Sequence, residues 1–71
     1  MNGSVAVGIK NIIQDRAYMQ SEIARRAGFS SQQFNDMLHE RKIIRADYMP
    51  PIARALGVSV QEIYDAGRME A

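Results

Sequence analysis

The sequence predicts an all-α protein of five short helices. Three observations carry this. Apolar residues recur three and four positions apart in each segment, and no stretch alternates polar and apolar residues as a strand would. Gly28 and Gly57 each close an apolar stripe two residues before a serine. Each serine, Ser30 and Ser59, is followed three positions on by Gln33 or Glu62, the spacing of a capping box that opens a new helix.

The first helix is expected from an N-cap at Ser4, with Met1 to Gly3 frayed. Val5, Ile9, Ile12 and Ile13 face the core, and Asn11, Gln14, Asp15 and Arg16 form the solvated side. Gly8 should weaken this helix by roughly 1 kcal/mol relative to alanine. Tyr18 and Met19 form the connection. In the second helix Ile23 and Ala27 share a face, and Ala24 is small enough to let another helix approach. Gly28 ends it in a left-handed turn, and Phe29 points inward.

The third helix carries Phe34, Met37 and Leu38 on its buried stripe. Ser31, Gln32, Asn35 and Asp36 are left on the outer face. Glu40 to Asp47 reads as a basic loop pinned to the core by one of Ile43 and Ile44. Pro50 and Pro51 fit only a first helical turn, so the fourth helix should start near Asp47 or Met49 and run to Leu56. Ile52, Ala53 and Leu56 face inward, and Val58 packs between helices. Val60, Ile63 and Tyr64 give the fifth helix its apolar side, Gly67 ends it, and Arg68 to Ala71 is a tail.

A chain of 71 residues is expected to form one domain, residues 1–71, with a modest core and no room for a deep catalytic cleft. There is no cysteine, and a single histidine, His39, cannot build a zinc site. No serine, histidine and carboxylate grouping, metal cluster or phosphate loop supports an enzyme. No cofactor, metal or small-molecule ligand is expected. Met1 to Gly8 lacks a signal-peptide pattern, and no apolar run is long enough to span a membrane, so the expected location is the cytoplasm. Nine basic and eight acidic residues give a net charge of +1, which says little about nucleic acid. Distribution says more: Arg25, Arg26, Arg41, Lys42 and Arg45 flank the third helix, while Asp47, Glu62, Asp65 and Glu70 lie in the last third.

The stretch Gln20 to His39 organises the rest. It is a helix, a glycine break and a second helix, the pattern of a helix-turn-helix whose second helix can enter a DNA major groove. Its run Q-S-E-I-A-R-R-A-G-F-S-S-Q-Q-F resembles the helix-turn-helix of the Cro and lambda-repressor-like family of bacterial and phage transcriptional regulators. The family's small residue, glycine and buried apolar residue fall on Ala24, Gly28 and Phe34. Residues 53–64, A-R-A-L-G-V-S-V-Q-E-I-Y, are similar to its closing helices, so the resemblance spans Ile9 to Tyr64. Where Met19 stands, the family usually has a capping Ser or Thr.

The resemblance implies a compact lambda-repressor-like DNA-binding domain. Its function would be that of a sequence-specific regulator of transcription, a repressor, bound to double-stranded operator DNA as a weak homodimer completed on DNA. Base edges would be read from Ser31, Gln32, Asn35 and Asp36. Gln32 is the foremost candidate, because its amide can pair bidentately with adenine. Asp36 could accept from cytosine, yet it repels phosphate and could equally form a salt bridge. The DNA backbone would be held by Gln20, Gln33, His39, Arg41, Lys42 and Arg45, with Gln33 alternatively serving the cap.

Plainer roles compete. Arg25 and Arg26 suit a solvated face, His39 a helix C-terminus, and the basic loop mere solubility. The rival function is a protein-interaction module such as an antitoxin or antirepressor. It would use an exposed apolar patch drawn from Tyr48, Val60, Tyr64 and Met69.

Overall fold

The computed structural model describes residues 3–68. Five helices follow in order: α1 (Gly3–Asp15), α2 (Gln20–Ala27), α3 (Ser31–Leu38), α4 (Met49–Leu56) and α5 (Val60–Arg68). A single 3-10 turn, Ala46–Tyr48, leads into α4, and there is no strand among the described residues. The all-α expectation therefore holds, with the boundaries of α2, α3 and α4 close to those read from glycine, serine and proline.

Helix ends follow local chemistry. Gly28 and Gly57 take left-handed conformations, φ 89° and 75°, after α2 and α4. Ser30 accepts from Gln33 N–H at 3.1 Å, and the Gln33 side chain accepts from Ser30 N–H at 3.1 Å. Ser59 and Glu62 repeat this at 3.1 and 2.9 Å. Met19 has the extended backbone of an N-cap (φ −90°, ψ 127°) but no capping side chain. Two ends use left-handed residues other than glycine: Ala17 (φ 57°) after α1 and Glu40 (φ 61°) after α3. Each carries the Cβ penalty that glycine avoids.

One core joins all five helices. Ile9, Ile23, Phe34, Leu38, Ile52, Leu56 and Ile63 are fully buried within it. Of the isoleucine pair in the basic loop, Ile44 is the buried anchor and Ile43 stands 70% exposed. Phe29 packs edge-on against Tyr48, with ring centroids 5.0 Å apart, and lies against Phe34 at 6.3 Å. The Tyr18 hydroxyl reaches the last turn of α4 and donates to Leu56 C=O at 3.3 Å.

The α1–α5 contact is the most extensive between elements and corrects several expectations. A Cβ on Gly8 would lie 2.1 Å from Ile63 C=O and 3.0 Å from Gly67 N. Gly8 is thus the point where two backbones meet, and its cost in helix propensity is offset by that close approach. Gly67 does not end α5. It lies buried inside the helix, with its backbone N beside Gly8 of α1. Asn11 is not on the solvated side: its Nδ2 donates to Ala66 C=O at 3.1 Å and ties the same two helices. Ser4 falls inside α1 and not at its cap, and Ala6 joins the core. Of the ends expected to fray, Gly3 and Arg68 are helical, and the remaining residues lie outside the described ones.

Candidate nucleic-acid interface

The tight turn at Gly28 sets α2 and α3 against each other. Phe29 N–H bonds to Ala24 C=O at 2.9 Å and Gly28 N–H to Arg25 C=O at 3.1 Å, so the chain reverses within two residues. Phe34, Met37 and Leu38 bury one side of α3, which fixes its rotation about its own axis. Ser31, Gln32 and Gln33 are consequently exposed, and Asn35 and Asp36 half-buried at the edge.

An open groove forms where the start of α2 meets the outer face of α3. Gln20, Ser21, Ser31, Gln32 and Asn35 line it. Gln20 Nε2 donates to Asn35 Oδ1 at 3.2 Å and links the two helices across the groove. The structure therefore gathers Gln20 with three of the four expected base readers. Sequence reasoning missed Ser21. Its exposed hydroxyl lines the groove from the first turn of α2, and only the packing angle of α2 on α3 places it there.

Asp36 lies to one side of this group. Its Oδ1 accepts from Gln32 Nε2 at 3.1 Å and from the Arg41 guanidinium at 3.4 Å. Gln33 has its side-chain oxygen at the cap of α3. His39 is the C-cap of α3, with Nδ1 2.9 Å from Asn35 C=O. Arg41, Lys42 and Arg45 are all exposed on the loop that follows. Arg45 pairs with Asp47 at 3.2 Å and lies over the Tyr48 ring at 5.8 Å. Lys42 makes no ion pair among the described residues.

Arg25 and Arg26 both pair with Glu22 on the outer face of α2, Arg26 at 3.1 Å. The hydrogen bond from Arg25, and then that from Arg26, holds the Glu22 carboxyl below its usual range. The same bond raises the Arg25 guanidinium. One carboxylate thus offsets part of this pair's charge. Of the residues considered for a protein-binding patch, Tyr48 and Val60 pack against the core, Tyr64 is 38% exposed, and Met69 lies outside the described residues. Among the described residues no group of side chains could hold a metal ion, and no helix is long and apolar enough to cross a membrane.

Comparison with known proteins agrees with this geometry. No curated protein matches the sequence. Among solved structures, the crystal structure of the clp gene regulator ClgR from C. glutamicum superposes with a TM-score of 0.88 at 17% identity. The match covers 99% of this chain and 92% of that one, and at this identity it supports the fold alone. Residues 8–66 match the family model of the Cro/C1-type HTH DNA-binding domain, which encloses the groove, the turn and both helices beside it. The chain belongs to the Cro/C1-type helix-turn-helix family of DNA-binding domains.

Proposed function

We propose that this chain is a sequence-specific reader of double-stranded DNA that represses transcription by occupying an operator. The observation that carries the reading is the groove between α2 and α3. It sets Ser31, Gln32 and Asn35 beside Gln20 in an all-polar lining, tied across by the Gln20–Asn35 hydrogen bond. A major groove offers distinct donor and acceptor patterns for each base pair, and short polar side chains on an inserted helix can match them. In this reading α3 enters the groove, and Gln32 and Asn35 meet base edges.

Gln20 and Ser21 face one DNA strand from the start of α2, and His39, Arg41, Lys42 and Arg45 face the other. Lys42, exposed and without an ion pair among the described residues, is the most available phosphate partner. Gln33 keeps its oxygen at the cap and offers its Nε2 to the backbone. Two copies on a two-fold operator, with half-sites about one helical turn apart, complete the assembly.

The test is selection of bound duplexes from a random pool at roughly 150 mM salt, where nonspecific binding is weakened. The expected product is an inverted repeat whose enrichment is lost in Gln32→Ala. Binding that is equal for every duplex and only salt-sensitive would refute sequence reading. Lys42→Ala should weaken binding to all duplexes alike and reduce the salt dependence by about one counterion per subunit.

A further inference from the structure

We propose that Asp36 does not read a base but positions the residue that does, Gln32, and ties it to the phosphate-facing loop. This rests on the reading of α3 as the groove-facing helix. Gln32 is exposed on α3, where a free glutamine would sample many rotamers and both orientations of its amide. Asp36, one turn on, removes that freedom. An ionised carboxylate only accepts, so Gln32 must turn Nε2 toward it, as seen at 3.1 Å. The Gln32 Oε1 and the second Nε2 hydrogen are left to act together. That acceptor and donor pair is the complement of adenine N6 and N7.

Asp36 is held in turn. Arg41 donates to the same Oδ1 at 3.4 Å, which offsets a negative charge that would otherwise oppose phosphate. The backbone adds a second tie. Arg41 N–H and Lys42 N–H both reach Asp36 C=O, at 2.8 and 3.3 Å. The start of the basic loop and the orientation of Gln32 therefore depend on one residue. Asp36 itself has 18% of its side chain exposed, which suits an internal strut better than a group meant to reach a base.

The experiment repeats the duplex selection with the full chain and with Gln32→Ala, Asp36→Ala and the double variant. Gln32→Ala should lose roughly tenfold of its preference at one base pair per half-site. Asp36→Ala should lose several-fold at that same base pair, and the double variant should be no worse than Gln32→Ala alone. Loss at a different base pair, adding to that of Gln32→Ala, would make Asp36 a direct reader and overturn the proposal. An unchanged base pattern would reduce Asp36 to a solvated salt bridge and also overturn it. Asp36→Asn keeps an acceptor oxygen for Gln32 and should retain the preference within about twofold. Equal losses in Asn and Ala variants that track a lower unfolding temperature would mark a folding defect, again against the proposal. If the wild type enriches no sequence, the DNA-reading assignment falls and takes this one with it.

Discussion

The chain makes the same turn twice. Gly28-Phe29-Ser30 joins α2 to α3, and Gly57-Val58-Ser59 joins α4 to α5. Each glycine is left-handed, and each following N–H reaches back five residues, Phe29 to Ala24 at 2.9 Å and Val58 to Ala53 at 3.0 Å. Each serine completes a capping box. One turn into each second helix a glutamine donates to an aspartate: Gln32 to Asp36 at 3.1 Å and Gln61 to Asp65 at 3.0 Å. An arginine then approaches each aspartate, Arg41 at 3.4 Å and Arg68 at 3.9 Å. The local device is therefore a solution to folding, and it does not by itself mark a binding site.

The two units differ in what surrounds their second helices. α3 meets the start of α2 in a polar groove and is followed by an exposed loop bearing Arg41, Lys42 and Arg45. α5 instead lies along α1, brought close at Gly8, and among the described residues no such cationic loop accompanies it. Removing the close approach should therefore be the most damaging single change. In Gly8→Ala the new methyl meets backbone at Ile63, which cannot swing aside as a side chain would. The gain in helix propensity, about 1 kcal/mol, is outweighed by overpacking, and a net loss of about 2 kcal/mol is expected. Thermal and denaturant unfolding would measure it. An unchanged or raised unfolding temperature would show that α1 and α5 separate easily and that the two units are less different than their packing suggests.

α2 lacks what α3 and α5 share at their starts. Met19 has the right backbone for a cap and the wrong side chain, and it is 70% exposed. Met19→Ser would place a hydroxyl three residues before Glu22, the same spacing as Ser30–Gln33 and Ser59–Glu62. The expected gain is about 1 kcal/mol in unfolding free energy. The gain would shrink to a few tenths if Glu22 stays with Arg25 and Arg26 instead of turning back to the new cap. A carboxyl titration followed by NMR would tell these apart. Glu22 is held low by Arg25 first, so its stabilising effect is present above the ordinary carboxylate range and is lost as pH falls through the lowered value.

Much of this was legible in the sequence, because glycine, serine and proline act locally. Gly28, Ser30, Gly57 and Ser59 located four helix ends, and Pro50 and Pro51 located the start of α4, without knowledge of any partner element. The errors have a shared cause. Helix propensity alone makes Gly8 a cost, local pattern makes Gly67 a stop, and polarity places Asn11 in solvent. Each of these is decided by α5 lying against α1, a contact some 55 residues long in sequence at Asn11–Ala66. A glycine that ends a helix and one that admits another helix look alike in one dimension. At the candidate site, periodicity gave the outward face of α3 correctly. It could not show Ser21 beside that face, nor Gln32 and Arg41 both turned toward Asp36, since these depend on the angle between helices and on rotamers.

The smallest expected effect separates the two turns most cleanly. Their caps differ in one atom type: Gln33 is neutral where Glu62 is charged. A carboxylate at the third position of a helix is favoured by the helix dipole, so Gln33→Glu should raise stability by about 0.3–1 kcal/mol. It also places a negative charge beside the face proposed to meet phosphates, and DNA affinity should fall several-fold, more at low salt than at high. Stability and binding would then move in opposite directions from one substitution. In Glu62→Gln the stability effect should reverse, with a loss of similar size, and DNA affinity should stay the same because α5 is turned toward α1. A rise in affinity in Glu62→Gln that mirrors the fall in Gln33→Glu would mean that binding follows overall net charge and not the place of α3. An affinity unchanged by Gln33→Glu would move the phosphate contact away from the α3 cap, leaving Gln20 and the Arg41–Arg45 loop to hold the DNA backbone.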